Sequence, residues 1–234
     1  MHGALPDESG TGSQLKQWIK GSTFTCLAAK ASVKRQVFQY AELGTLGTDR
    51  TTHELHSSLE NFITQNLTPN ENFASFAAVF SGPVGIDENE FEKITWQQLS
   101  SLHEYDNKRY TWASESDNDP ASANFAFSVA GHPLFIVGLH ANSSRVSRRF
   151  TLPTLVFNSH RQFARLKETG IYAGLQRRIR ERERRLQGDI NPNLGEFGEI
   201  SEARQYSGRA VEPDWQCPFT PRPGRVAQET HSDS

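Results

Sequence analysis

From Phe125 to Phe163 the chain reads FAFSVAGHPLFIVGLHANSSRVSRRFTLPTLVFNSHRQF, and no other stretch limits its possible folds so strongly. Two apolar runs, Phe125–Ala130 and Leu134–Leu139, flank Gly131-His132-Pro133. Short runs rich in Val, Ile and Phe around a Gly/Pro break predict a buried β-hairpin. The second run ends at His140, and the polar turn after it carries Arg145, Arg148 and Arg149. A third run, Thr154–Phe157, leads through Asn158-Ser159 to His160, where a long arginine-rich helix begins. Histidines and fixed cations at the ends of buried strands suit an anionic ligand, with or without a metal beside it, better than they suit packing.

The rest of the chain supplies covering elements. Apolar residues three and four apart predict helices over Gln14–Ile19, Thr51–Asn66 and Asn89–Leu102. A fourth helix runs over His160–Gln187, with Gly170 and Gly174 as points of interruption. Gln36–Leu43, followed by a turn at Gly44–Gly47, and Phe73–Phe80 read as strands. The expected fold is α+β: a mainly antiparallel sheet of four to six strands covered by helices. At 234 residues one core is the better expectation. The domain should span 13–219, with disordered ends over 1–12 and 220–234.

Charge and composition remove several function classes. A formal net charge of −2 gives no overall pull towards nucleic acid or an anionic membrane. No apolar run reaches the roughly 18 residues that a membrane helix needs. The start, MHGALPDESGTG, lacks the pattern of a secretory leader, and two cysteines make no disulfide framework, so a reducing cytoplasm is expected. GxxxxGK[ST], GxGxxG, paired CxxC, HExxH and GxSxG are all missing. On the last helix, Arg177/Glu181 and Glu181/Arg185 stand at i, i+4, the pattern of a solvated, salt-bridged face.

A few residues could carry chemistry. Cys217, in WQCPF, is followed by Pro218 and flanked by Trp215 and Phe219. A thiolate there can ligate haem iron, and the plainer alternative is a small apolar anchor for the C-terminal loop. His140 and His160 are the nitrogen alternatives, as iron ligands or as histidines that fix turns. Arg145, Arg148 and Arg149 suit carboxylates such as haem propionates, or a network to Asp117, Asp119 or Glu202. Arg204, Tyr206 and Arg209, in SEARQYSGR, suit substrate contact or the tethering of the C-terminal loop.

These segments resemble the YqcI/YcgG family, whose characterised members include the GntA-type haem-dependent N-hydroxylases. FTCLAAKASV (24–33), SVAGHPLFIVGLHANSSRVSRRF (128–150), LVFNSHRQF (155–163), LQGDINPNL (186–194), SEARQYSGR (201–209) and WQCPF (215–219) carry the resemblance, in order and across most of the chain. The chain departs from the family pattern at Thr25, Ala141 and Ser159, where Pro is usual, and at Ala28, where Gly is usual. The resemblance implies a haem b enzyme that uses O2 to hydroxylate an amine or guanidine nitrogen of a small amino-acid-like substrate. Electrons would come from a separate reductase, since no flavin or nicotinamide fingerprint is present. It implies no nucleic acid and no membrane partner, and allows a homodimer. Cys217 is the favoured iron ligand, ahead of His140, then His160 and Cys26. The alternative reading is a non-catalytic haem or small-anion binding or sensing protein.

Overall fold

The computed structural model describes residues 10–193, 195 and 197–222. Of the ends expected to be disordered, 1–12 and 220–234, residues 1–9 and 223–234 lie outside the described residues, while Thr11 and Gly12 already belong to the first helix. In chain order the elements are α1 (Thr11–Lys20), α2 (Leu27–Lys34), β1 (Phe38–Thr45), α3 (Asp49–Asn66), β2 (Ser75–Gly82) and α4 (Glu88–Asp106). They continue with β3 (Phe127–Val129), β4 (His132–Leu139), β5 (Thr154–Ser159), α5 (His160–Glu168) and α6 (Ile171–Gln187). The strands form one sheet in the order β1-β2-β5-β4-β3. Only β1 and β2 are parallel, joined by α3 as the crossover a parallel pair requires; the other three pairings are antiparallel. The α+β fold expected from the sequence is the one observed.

The central hairpin is tighter than its sequence suggests. Val129 pairs with His132, so the turn is only Ala130-Gly131, and His132 and Pro133 already belong to β4. Both turn residues have positive φ, 50° and 66°, the conformation whose twist matches a two-residue hairpin. Ala130 is an unusual occupant, and its N–H donates to Asp106 Oδ1 at 2.9 Å. The same oxygen lies 2.8 Å from His56 Nε2. That buried carboxylate ties α3, α4 and the turn together.

Alternation along the strands gives the sheet two apolar faces. Phe76, Ala78, Phe80, Leu134, Ile136, Leu155 and Phe157 pack with α3, α4 and the C-terminal Tyr206 and Phe219. On the other face Ala77, Val79, Leu139 and Val156 meet α1, α2 and Phe150. Burying each such Leu or Phe contributes about 1.5–3 kcal/mol, so both layers are well anchored. The predicted long helix is two: Gly170, at φ 72°, separates α5 from α6, whereas Gly174 is accommodated inside α6. Among the described residues no helix is long and apolar enough to cross a membrane.

Candidate functional site

Helices α1 and α2 cover only part of the second sheet face. Beyond them, α5 and α6 arch over Pro133, Phe135 and Val137 of β4 and Asn158 of β5, leaving a cavity of about 530 Å3. That volume falls within the roughly 300–1,000 Å3 usual for small-molecule sites. Phe163, Leu166, Tyr172, Leu175 and Ile179 form its roof, and Cys26, Ala28, Phe197, Glu202 and Gln205 close its sides. The wall is mainly apolar and aromatic, with Arg161, Lys167, Arg180, Glu115 and Glu202 as its charged members, and Arg161 pairs with Glu115 at 2.5 Å.

His160 stands where strand becomes helix. Ser159 caps α5, its hydroxyl accepting from Gln162 N–H. The same hydroxyl lies 2.7 Å from His132 Nε2. A proline at this position would supply no such cap. The first residue of the helix is thereby fixed with its ring on the cavity wall. His160 Nε2 lies 2.9 and 3.0 Å from the two carboxylate oxygens of Glu202. Glu202 is buried at 3% exposure, and it also accepts from Tyr206 Oη at 2.5 Å. Tyr206 Oη in turn accepts from Phe127 N–H at 3.1 Å. Burial pushes the Glu202 carboxyl up, and the contact with His160 opposes it. Burial, then Glu202, holds the Tyr206 phenol well above its usual range, so it stays a donor.

The arrangement fixes one ring nitrogen of His160 and leaves the other. With Nε2–H donated to Glu202, Nδ1 keeps its lone pair, and no hydrogen bond engages it among the described residues. A histidine ligand held by a buried carboxylate through its second nitrogen is the usual support of a metal-binding imidazole. Cys26 shares the cavity wall, at the start of α2. Burial raises its thiol, and the backbone N–H groups of Ala29 and Ala28 pull the other way. Among the described residues no three His, Cys, Asp or Glu side chains gather to hold a bare metal ion. An axial ligand to a macrocycle needs only one.

The other sequence-predicted residues lie away from the cavity. Cys217 is half-buried against the first apolar layer, and desolvation pushes its thiol up to about 12. Beside it runs a more open groove of about 500 Å3, lined by Glu92, Trp96, Trp215 and Gln216. His140 is buried, stacks on Phe91 at 4.4 Å between ring centroids, and has neither ring nitrogen hydrogen-bonded. Burial lowers its pKa.

The three arginines after His140 are used by the fold. Arg145 is buried and pairs with Glu183 at 2.9 Å and with Asp189, not with Asp117, Asp119 or Glu202. Arg148 donates to the carbonyls of Gly138 and Tyr206, and burial lowers its pKa to about 10. Arg149 donates to Ser143 and Ser144 carbonyls. Of the expected substrate residues, Arg204 holds the carbonyls of Trp215 and Glu212. Arg209 pairs with Glu92 at 2.7 Å and with Glu212. Tyr206 reaches the cavity only through Glu202. Two parts of the site escape sequence reading: Glu202 as the partner of His160, and the roof. The one sequence trace of the roof is Tyr172, Leu175 and Ile179, an apolar stripe at helical spacing within an otherwise charged helix.

No curated protein and no solved structure matches this chain. The YqcI/YcgG family model matches residues 15–220, a span that takes in all five strands and every wall of the cavity. On that match, the chain belongs to the YqcI/YcgG family.

Proposed function

We propose that the protein is a haem-dependent monooxygenase that hydroxylates an amine or guanidine nitrogen of a small amino-acid-like substrate. The observation that carries this reading is His160 on the wall of a mainly apolar cavity, its Nε2 held by the buried Glu202. The wall residues fit haem. His160 Nδ1 would hold the iron, with Cys26 the second donor on the same wall. Phe135, Phe163 and Phe197 offer flat apolar surface, and the positive charge of Arg161, Lys167 and Arg180 on the wall would favour propionates, Arg161 being itself paired with Glu115 at 2.5 Å. The groove beside Cys217 is the more open of the two and His140 lines neither, so the geometry favours His160 over both.

When bound, haem iron supplies the activation of O2. The overall change is R–NH2 + O2 + 2 electrons + 2 H+ to R–NHOH + H2O: an N–O bond forms, the O–O bond breaks, and the second oxygen leaves as water. Everything else falls to the chain. Glu202 orients the His160 ring, and Tyr206 holds Glu202 in place. The aromatic roof of α5 and α6 excludes bulk water. The Arg161–Glu115 pair, with Lys167 and Arg180, puts both signs of charge on the cavity lining, which suits a substrate with a carboxylate and a cationic nitrogen.

The test is an absorption spectrum of protein expressed with haem precursor, oxidised and then reduced under CO. The expected result is a Soret band with a CO complex of the histidine-ligated type, lost in His160→Ala and kept in Cys217→Ala. A thiolate-type spectrum that vanishes in Cys217→Ala would move the ligand to that residue. Well-folded protein that takes up no haem would overturn the reading. Oxygen uptake coupled to an amine substrate then separates an enzyme from a protein that only binds or senses.

A further inference from the structure

Helix α6 has two faces, and only the inner one is accounted for. Tyr172, Leu175 and Ile179 line the cavity. Glu183 is buried, accepts from Thr25 Oγ1 and pairs with Arg145. The outer face carries Arg177, Arg178, Arg184 and Arg185, all exposed. The i, i+4 pairs expected from the sequence do not form: among the described residues no ion pair or hydrogen bond engages the side chains of these four arginines. Glu181 is the one acid exposed among them. Arg182, half-buried, adds to this positive field; after burial, it is the main influence lowering the pKa of Lys30 on α2. The whole chain is at −2, so this face is a local concentration of positive charge on a mildly acidic protein.

We propose that the outer face of α6 docks an acidic one-electron donor protein, a small carboxylate-rich iron–sulfur protein being the class it fits. This rests on the haem reading above. The reaction consumes two electrons per turnover, and each reduced [2Fe–2S] donor gives up one and leaves oxidised, so two donors are used for each O2. Only α6, about 10–12 Å across with its side chains, separates the basic face from the cavity. Unpaired arginines facing a carboxylate surface steer encounter and hold orientation. Other anionic partners fit less well. The helix is about 25 Å long, with one exposed large apolar residue, Ile171, at its start. Its apolar stripe turns inward, which removes the insertion face a membrane-bound helix needs. Its outer face carries no aromatic side chain on which bases could stack.

The experiment uses the full chain, with and without haem, and a plant-type [2Fe–2S] ferredoxin as the acidic probe. Binding is measured by calorimetry at about 50 and 300 mM salt, for the parent, Arg177→Glu/Arg178→Glu and Arg184→Glu/Arg185→Glu. The expected result is salt-sensitive binding that each double variant weakens about tenfold or more. Ferredoxin-driven reduction under CO should slow by a similar factor, with haem content and reduction by dithionite unchanged. The haem-free protein reads the docking face alone, so a failure to bind haem sinks the enzyme reading without altering this arm. Variants that bind and accept electrons like the parent overturn the proposal. So does an absence of ferredoxin binding at low salt, or tighter binding to a duplex oligonucleotide or to phosphatidylserine vesicles than to ferredoxin.

Discussion

His160 and Glu202 are 42 residues apart in sequence, yet imidazole and carboxylate meet at 2.9 Å on the cavity wall. Glu202→Gln keeps the shape of the side chain and removes the charge that holds Nε2–H. Loss of such a partner typically costs 10- to 100-fold in affinity for the ligated group. Haem titration followed at the Soret band should show a loss of about that size, with the circular dichroism of the apoprotein unchanged. Equal haem affinity in parent and variant would remove Glu202 from the site.

Gly138 matters because of what stands over it. Its N–H donates to the Tyr206 carbonyl at 2.7 Å. A Cβ added there would lie 2.7 Å from the Phe91 ring and 2.9 Å from the Tyr206 carbonyl oxygen. Phe91 and the backbone of Tyr206 must both give way, at a cost of about 1–3 kcal/mol for an overpacked core. Gly138→Ala should therefore lower the unfolding free energy by that amount in a urea titration. It should also weaken haem binding, because Tyr206 positions Glu202. A variant as stable as the parent would show that this approach is looser than its geometry.

Local pattern made most of the fold legible. Leu55, Leu59 and Phe62 announce α3, Phe91, Trp96 and Leu99 announce α4, and all six are buried where the periodicity puts them. The hairpin is legible as a hairpin, but its turn is Ala130-Gly131 and not Gly131–Pro133: Ala130 takes positive φ, as Asp106 from α4 holds its N–H. Site chemistry was legible as residue types and not as partnerships. Arg145 reads as a partner for propionates or for Asp117, Asp119 or Glu202, because its actual partner Glu183, 38 residues on, is invisible to spacing. Tyr206 reads as a loop residue, and only the folded chain buries it at the free edge of β4, next to β3. Sequence alone ranks Cys217 above His160, because a thiolate is legible as chemistry while the enclosed cavity beside His160 is not.

Arg145 and Glu183 form a buried pair linking the turn after β4 to α6, with side chains 7% and 9% exposed. Removing one partner strands the other charge, which typically costs about 3–5 kcal/mol. Arg145→Ala should lower stability by that amount in a denaturant titration. Haem content per folded molecule should stay the same, because Arg145 does not line the cavity. Loss of haem at unchanged stability would instead restore the propionate role that the sequence suggests.

His132 gives the fold a dependence on pH. Its ring meets Ser159 Oγ at 2.7 Å inside the hairpin, and burial, then Arg161, lowers its pKa from 6.5 to about 4; Glu115 opposes, and His160 and Arg165 add to the lowering. Unfolded, the same imidazole takes up its proton near 6.5. Between those values the unfolded chain binds more protons, so stability is fully present above pH 6.5 and falls as the solution is acidified towards pH 4. At 1.36 kcal/mol per unit the loss is about 3 kcal/mol for this residue. His132→Gln can still bond Ser159 but does not titrate. Its urea midpoint should vary less than the parent's between neutral pH and pH 4, and the difference between the two curves isolates His132. Parallel curves would mean that the His132 proton is not coupled to folding.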